Sequence, residues 1–427
     1  MTMHATPQQP RPRRHLAAAM TLSLSLLGLI VVSARAESPE PLKSAGVPHI
    51  QNGTTPADGR VVWTLEEQWR IGADEEDILL GLITAVGSDR AGNIYLLDRQ
   101  LTQVLALAPD GRFLHSLGRE GGGPGEFQYP TDLIVLPDGR VGVLQAMPGK
   151  IILLNPETGD PAGTITIGGE NPTSGGFNMA QEVSSRGEHL VAVGRRMTPG
   201  ENGFERRLYL SSLDPDGTER ICFLERNAPD NLARGEFVES EEYFVDQGRW
   251  TLGPTGEVYA AAERDRYAVH VYAADGALLR VIEREFESWK RTAEEKGRVG
   301  EGILIVVNGE RVQIEAQAED RDPCIAGLHV TDGGELWVLH SRSRREQPEG
   351  ILQTYDVFDP EGHFVRQVSF AVAGDPERDR LFLLGDNRAV VVTGFLNAAR
   401  SMTGSGEEDS QMDAAPLQVI GYSIVPG

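Results

Sequence analysis

The 427-residue sequence is poor in cysteine, in aromatic residues and in basic charge. Its two cysteines, Cys222 and Cys324, exclude a disulfide framework. They are expected to be unpaired core residues, and a single bridge between them is the open alternative. Only 40 lysines and arginines stand against 63 aspartates and glutamates, so the net charge is −23. A chain this acidic repels nucleic acid, and nucleic-acid binding is therefore not expected.

Glycine and proline, in contrast, are plentiful, with 49 and 25 residues. Both residues disfavour helix interiors and favour tight turns, so the composition argues against a helical bundle. Apolar, strand-like segments recur along the whole chain, which excludes a disordered polymer. The composition therefore indicates a folded protein that is rich in turns.

Residues 1–36 have the composition of an export signal. They carry four arginines and no acidic residue, with an apolar run over 16–32 and a small-x-small end at 34–36. This order is typical of a secretory signal peptide, and an uncleaved membrane anchor is the alternative. Residues 37–60 are poor in large apolar residues and are predicted to be a flexible linker. We expect a periplasmic or secreted protein, with no stable membrane insertion after signal cleavage.

Short glycine-centred turns divide the rest of the chain into repeats. Each repeat is a strand, a tight turn, a second strand, a longer loop, a third strand, another tight turn and a fourth strand. The turns between first and second strands occur at 88–93, 137–140, 185–188, 254–257, 332–335 and 385–388, and those between third and fourth strands at 109–111, 156–159, 215–217, 274–276 and 360–362. Asp-Gly and Asn-containing turns supply the positive φ that hairpins require.

Six turns of the first kind and five of the second predict six four-stranded units. Units of this length are typical of propeller blades, so the predicted fold class is an all-β, six-bladed β-propeller over residues 61–427. The last blade lacks a fourth strand, and we expect residues 60–72 to supply it and close the ring. Residues 283–324 are an insertion between blades four and five, where the helix formers at 283–298 predict a short amphipathic helix.

Two segments resemble a known family. The linker 118–130 (GREGGGPGEFQYP) is similar to the inter-blade linker of NHL-repeat proteins and TolB-like exported bacterial six-bladed propellers, and 92–98 (GNIYLLD) is similar to their second strand. Blade two departs from this pattern, because Gln145 stands near the place that Asp98 holds in blade one. The resemblance implies a six-bladed propeller. It implies no single function, since such relatives include lactonases, lyases, receptor modules and proteins without known activity.

The long segments all fall on one predicted face, made by the second-to-third loops and the links between blades. Loops on a rigid scaffold are where binding groups usually lie, so we assign the functional mouth to this face. The candidate ligand-binding residues are Arg99, Arg195, Arg249, Arg264, His340, Arg342 and Arg380, and the rim also carries Lys150, Arg196, Arg266, Arg344, Arg345 and Arg400. Arginines so arranged would attract an anion, unless neighbouring acidic residues such as Asp98 and Glu263 pair with them instead.

The sequence contains no H-E-x-x-H, no C-x-x-C and no calcium loop, and no catalytic residue is predicted. Among its nine histidines, only His329 and His340 are expected near the channel, where a third ligand such as Asp132 would be needed to hold a metal. Lactonase-like propellers hold a metal with carboxylates and an amide, and that resemblance would assign the role to Glu126, Asp132 and Asn178. This alternative implies one divalent cation, calcium or zinc; otherwise no cofactor is expected.

The function predicted from these features is that of an exported binding or interaction module. The ligand would be a small anion, an acidic saccharide or a protein segment at the long-loop face, and the protein would be a monomer. The competing hypothesis is a metal-assisted lactonase or lyase with its site at the mouth of the central channel. A third hypothesis is a structural propeller that has no pocket.

Overall fold

Strands dominate the fold. The computed structural model describes residues 46–72, 78–169, 176–200, 203–231, 235–300, 305–307, 310–312, 314–396, 398–399 and 417–427. Within these residues the helical stretches are few and short, and none is long and apolar enough to cross a membrane. The predicted signal peptide and Arg400 lie outside the described residues.

The first half of the chain forms three blades. β1 (His49–Asn52) and β2 (Arg60–Gly72) precede blade one, which comprises β3 (Ile83–Ser88), β4 (Ile94–Asp98), β5 (Gln103–Leu107) and β6 (Phe113–Leu117). A short parallel pair, β7 (Arg119–Glu120) and β8 (Glu126–Phe127), leads to blade two, with β9 (Pro130–Val135), β10 (Val141–Gln145), β11 (Lys150–Leu154) and β12 (Pro161–Thr166). Blade three has longer strands: β13 (Phe177–Arg186), β14 (His189–Gly200), β15 (Gly203–Leu213) and β16 (Glu219–Pro229).

The second half forms a fourth blade, an insertion and a larger sheet. After β17 (Glu236–Val238) and α1 (Glu239–Glu242), blade four comprises β18 (Trp250–Leu252), β19 (Val258–Ala260), β20 (Ala268–Tyr272) and β21 (Leu278–Arg284). The insertion contains α2 (Ala293–Gly297), β22 (Ile305–Val307), β23 (Glu310–Val312) and β24 (Glu315–Gln317). The chain then forms β25 (Ile325–Val330), β26 (Leu336–His340), β27 (Ile351–Phe358), β28 (Phe364–Ala371), β29 (Arg380–Leu384), β30 (Arg388–Thr393) and β31 (Gln418–Val425).

The first strands of successive sheets are neighbours in space. β3 contacts β29 on one side and β9 on the other, β9 contacts β13, β13 contacts β18, and β18 contacts β25. Within each blade the following strands add outward in antiparallel order. This radial arrangement around a common centre is that of a propeller, so the predicted all-β propeller fold is confirmed.

The two N-terminal strands join sheets that are distant in sequence. β1 lies in the segment predicted to be a flexible linker, yet it pairs parallel with β21 and becomes a fifth strand of blade four. β2 pairs parallel with β28 over residues 60–64 and antiparallel with β31 over residues 64–72. Through β2, the predicted blades five and six form one continuous eight-stranded sheet.

Apolar side chains fill the spaces between neighbouring sheets. Between blades one and two, for example, Leu97, Val104, Val143 and Leu154 are completely buried. Similar clusters lie between blades two and three and on both sides of the eight-stranded sheet. Burying one such side chain stabilises the fold by about 1.5–3 kcal/mol, so the hydrophobic effect holds the sheets face to face.

Polar side chains at the ends of second strands hold the links that enter the first two blades. The buried carboxylate of Asp98 accepts hydrogen bonds from the N–H groups of Gly81 (2.7 Å) and Leu82 (3.1 Å). In blade two, Oε1 of Gln145 accepts the N–H of Gln128 at 2.9 Å. The amide therefore does in blade two what the carboxylate does in blade one, which explains how the link is kept without an aspartate.

The helix predicted over residues 283–298 is wrong for most of its length. Its first two residues continue strand β21, and only residues 293–297 are helical, after a capping box formed by Thr292 and Glu295. Pairing of β21 with β20 and with β1 holds the start of the segment extended. These backbone hydrogen bonds outweigh the helix propensity of the side chains.

Both cysteines are unpaired. Cys324 is buried in the core between blade four and the eight-stranded sheet, as expected. The core assignment of Cys222 is wrong, because this residue is exposed on β16, the outermost strand of blade three. Its Sγ accepts a hydrogen bond from the Arg207 side chain at 3.2 Å.

A close contact between Trp69 and two glycines positions β2. A Cβ atom on Gly421 of β31, or on Gly111 in the turn after β5, would overlap the Trp69 ring. The indole therefore fits only because these two positions have no side chain.

We predict that Gly421→Ala lowers the free energy of unfolding by about 1–3 kcal/mol, the usual cost of overpacking, in denaturant titrations. Gly122→Ala is the matched control, because a Cβ at that position meets nothing within 4 Å. Equal stability of the two variants would contradict the packing of β2 against β31.

Candidate functional site at the channel mouth

Charged side chains of opposite sign lie on or beside the innermost strands. Asp132 is on β9 and Glu182 on β13, whereas Arg380 begins β29 and Arg344 lies in the loop between β26 and β27. The charges of the other three groups all affect the pKa of Arg380. The propeller therefore brings together four ionisable residues that are far apart in the sequence.

Hydrogen bonds tie the acidic side of this site to successive blades. Asp132 accepts the N–H of Val183 at 2.9 Å, across the boundary between blades two and three. Glu182 accepts the N–H of Gly248 at 3.0 Å and the indole N–H of Trp250 at 2.9 Å, both at the start of blade four. Each carboxyl group thus fixes the position of the next blade as well as its own.

A third acidic residue, Asp246, is better compensated. Its carboxylate accepts a hydrogen bond from Nε2 of Gln181 at 2.9 Å, and Nη1 of Arg249 lies 3.6 Å from its Oδ1. The guanidinium of Arg249 also lies 4.9 Å from the ring centroid of Tyr243, in a cation–π contact. Arg249, one of the predicted ligand-binding residues, therefore has partners of its own.

Burial makes the other two carboxyl groups hard to ionise. It raises the pKa of Asp132 to about 6. Burial, and then the negative charges of Asp132 and Asp246, raise the pKa of Glu182 to about 8. Because a carboxyl group away from water prefers its neutral form unless a cation is close, Glu182 is mainly protonated and Asp132 mainly ionised at neutral pH.

On the basic side, buried polar groups hold Arg344. Its Nε donates to Oε1 of Gln353 at 3.1 Å, and Gln353 donates to the hydroxyl oxygen of Tyr355 at 2.5 Å. Tyr355 is 6% exposed, and its own hydroxyl hydrogen has no acceptor within the described ranges. Burial raises the pKa of Tyr355 to about 12, and the positive charges of Arg344 and Arg380 oppose this rise.

Arg380 has aromatic rather than acidic neighbours. Its guanidinium lies 5.3 Å from the ring centroid of Phe382 and 5.1 Å from that of Phe395. In the part of the chain that the structure describes, its side chain has no hydrogen bond or ion pair. Burial lowers the pKa of Arg380, and the positive charge of Arg344 lowers it further; burial also lowers the pKa of Arg344. Guanidinium groups stay charged at neutral pH, so both would be stabilised by an anion.

The end of the channel away from the long loops is held by Arg186, the last residue of β13. Its guanidinium donates to the carbonyl oxygens of Leu252 (3.0 Å) and Val330 (3.1 Å) and forms an ion pair with Asp332. These contacts connect three neighbouring blades.

His329 and His340 do not form the metal pair considered from the sequence. In the pairing of β25 with β26, His340 of β26 lies opposite Ile325 of β25. Ile325 and His329 are four residues apart on β25, which corresponds to about 13 Å along the strand. Burial lowers the pKa of His329 to about 4, and it also lowers the pKa of His340. Nδ1 of His340 accepts the N–H of Arg342 at 3.2 Å, so this imidazole is bound to its own loop.

Two predicted ligand-binding arginines are engaged by the protein itself. Arg264 is buried and pairs with Glu239 at 2.8 Å and Asp265 at 2.6 Å. Arg342 donates from Nε to the carbonyl oxygen of Glu287 at 2.8 Å. For these two residues, pairing within the chain prevails over a free anion-binding role.

The remaining predicted residues differ in how close they lie to the channel. Arg99 is exposed after β4 and Arg195 is half-buried on β14, and neither is a main influence on the pKa values of the channel groups. Arg380 begins the innermost strand β29, and the charges of Arg344, Glu182 and Asp132 act on its pKa. Nothing in the sequence distinguishes Arg344 from Arg342 and Arg345 in the same loop.

The residues considered for a metal have other partners. Glu126 accepts the N–H of Gly123 at 2.9 Å and pairs with Arg119 at 2.7 Å, while Nδ2 of Asn178 donates to the carbonyl oxygen of Ile167 at 2.7 Å. Across the described segments, no group of three or more His, Cys, Asp and Glu side chains is arranged to hold a metal ion.

The raised pKa of Glu182 predicts a pH-dependent stability. The folded protein keeps a proton that the unfolded chain releases near its usual pKa of 4.5, so this stabilisation is lost as the pH rises towards 8. Glu182→Gln cannot ionise. We predict that between about pH 5 and about pH 8.5 the native sequence loses at least about 1.4 kcal/mol more unfolding free energy than the variant, the equivalent of one pKa unit.

Denaturant titrations at the two pH values measure this difference. Glu126→Gln is the control, since Glu126 is paired at the surface and its pKa is lowered. It should follow the native sequence. Parallel pH profiles for the native sequence and Glu182→Gln would show that Glu182 is ionised in the folded state.

One family model matches the chain. It is described as a 6-bladed beta-propeller (DUF5128), and it matches residues 74–174, which include all of blades one and two. No curated protein matches the sequence.

Three solved structures illustrate the wider similarity. The chain is similar to a member of the DUF4221 family from Bacteroides vulgatus, with 10% identity and a TM-score of 0.45 over 87% of this chain and 100% of that one. It is also similar to the calcium-binding protein regucalcin from Agrobacterium tumefaciens (12%, 0.42, 86% and 96%). A gluconolactonase from Xanthomonas campestris is a third case (11%, 0.40, 80% and 86%). Function has to be argued from the channel itself, because one propeller fold serves many functions.

Proposed function

We propose that this chain is an exported, monomeric six-bladed propeller that binds a small anion at the mouth of its central channel. In this proposal the eight-stranded sheet supplies blades five and six, and β2 completes the last blade and closes the ring. The basic and apolar composition of residues 1–36 supports export to the periplasm or the exterior.

The proposal rests on two half-buried arginines, Arg344 and Arg380, whose positive charges act on each other. Each guanidinium is partly dehydrated, and within the described segments neither has a carboxylate within ion-pair distance. The charges of both act on the hydroxyl of Tyr355, which has a hydrogen to donate. Dehydrated cations without counter-ions are costly, and an anion between them would offset that cost with charge-assisted hydrogen bonds.

The surroundings favour a small anion over an acidic protein segment. A segment lying across the rim would meet Arg264 and Arg342, which already have partners. Arg380, at the beginning of β29, has no ion-pair partner within the described segments, and Arg344, in the loop after β26, is bound only to the neutral side chain of Gln353. A carboxylate or sulfate group is small enough to enter there and can accept two N–H bonds from one arginine.

We also propose that this binding needs no divalent cation. The groups that face the anion are N–H and O–H donors, which bind anions directly.

We predict that Arg380→Met weakens binding of a small carboxylate at least tenfold, which corresponds to about 1.4 kcal/mol. Methionine keeps an unbranched apolar stem between Phe382 and Phe395 but removes the charge. Since a buried charge is lost, the melting temperature should not fall. Isothermal titration calorimetry with pentanoate and glucuronate as probes, at low salt and with EDTA present, measures the affinity.

Arg99→Met is the matched control, because it removes an exposed arginine of the same face. It should leave the affinity unchanged. Equal affinities of the Arg380 variant and the native sequence would contradict the site, and so would binding that appears only when EDTA is replaced by calcium or zinc.

A further inference from the structure

The charged groups of the channel are sorted by sign onto different blades. Asp132 and Glu182 come from blades two and three, whereas Arg344 and Arg380 come from the sheet that contains β25–β31. The first strands follow one another around the centre in the order β29, β3, β9 and β13. Blade one therefore separates the acidic side from Arg380 along the ring, and the channel lies between them.

The two sides act on each other without direct contact. Burial and the positive charge of Arg344 lower the pKa of Arg380, and the carboxyl groups of Glu182 and Asp132, when ionised, oppose this effect. In the described ranges, however, no nitrogen of Arg344 or Arg380 lies within 4.0 Å of a carboxylate oxygen. The opposite charges are close enough to interact and too far apart to form an ion pair. A ligand that carries a negative and a positive charge would form a favourable electrostatic interaction at each end.

We propose that the ligand is a small zwitterion, such as an amino acid, whose carboxylate binds Arg344 and Arg380 and whose ammonium group binds Asp132 and Glu182. This inference rests on the proposed function and deepens it, because the anion site takes the carboxylate end. A ligand with a carboxylate alone would leave the acidic side without a cation. An amine alone would leave both guanidiniums without an anion.

No cation is among the main influences on the pKa of Glu182. Burial, and then the negative charges of Asp132 and Asp246, disfavour its ionisation, while the N–H groups of Gly248 and Trp250 favour it. An ammonium group beside Glu182 would lower its pKa from about 8 towards the ordinary range, so binding at neutral pH should release a proton.

The test compares ω-amino acids from glycine to 6-aminohexanoate with the carboxylates in which a methyl group replaces the ammonium group. For 4-aminobutyrate this isostere is pentanoate. The series covers a range of distances between the two charges. We expect at least one amino acid to bind at least tenfold more tightly than its isostere in calorimetry. Its heat of binding should depend on the ionisation enthalpy of the buffer, which reports the released proton.

Variants on each side separate the two ends of the ligand. In Glu182→Gln, the ratio of the affinity for the amino acid to the affinity for its isostere should fall at least tenfold, and binding should release no proton. The variant should bind the isostere at least as well as the native sequence does. Arg380→Met should weaken the binding of both. Glu126→Gln is the control for removing a carboxylate elsewhere and should behave as the native sequence.

The outcomes distinguish the two proposals. Equal affinity for amino acids and isosteres throughout the series would overturn the zwitterion and leave anion binding in place. Failure of the native sequence to bind any of the carboxylates would overturn the proposed function, and this inference with it. A preference that persists in both Glu182→Gln and Asp132→Asn would place the ammonium group elsewhere and would also overturn the inference.

Discussion

The partial dehydration of four charged side chains around one channel is the constraint on which the site depends. Water hydrates a free carboxylate or guanidinium far better than the interior of a protein does. In Asp132 and Glu182 the result is a raised pKa, and in Arg344 and Arg380 a lowered one. These groups form no ion pairs with one another that would offset the cost of their dehydration, because the blades that carry them hold them apart. The channel is therefore left with charges that a ligand can compensate.

The two carboxyl groups also help to hold the blades in place, which makes the acidic side of the site rigid. Asp132 bonds to blade three, Glu182 bonds to blade four, and Arg186 connects three blades at the other end of the channel. Trp69 packs β2 against β31 through positions that have no side chain. A positive group that bound at the acidic side would meet carboxyl groups whose positions are already fixed, so little of its binding energy would be needed to order them.

Much of the fold could be predicted from the sequence, because turns and strand alternation are local. The candidate site was harder to predict from the sequence, because it depends on contacts between blades. Arg380 was identified since it begins an innermost strand, but nothing in the sequence distinguished Arg344 from the two arginines beside it. Nor could the sequence show that Glu182 faces Asp132, as the strands that carry them meet only in the folded ring. The helix expected at 283–298 failed for a related reason, since pairing with β1 depends on a segment more than 200 residues away.

A crystal structure of the protein soaked in sodium selenate would test the central claim most directly. Selenate has the shape and charge of sulfate, and its anomalous scattering locates it without ambiguity. Our account predicts a strong anomalous peak between the guanidiniums of Arg344 and Arg380, within hydrogen-bond distance of the Tyr355 hydroxyl. Selenate bound only at surface arginines such as Arg99, with none in the channel, would contradict it.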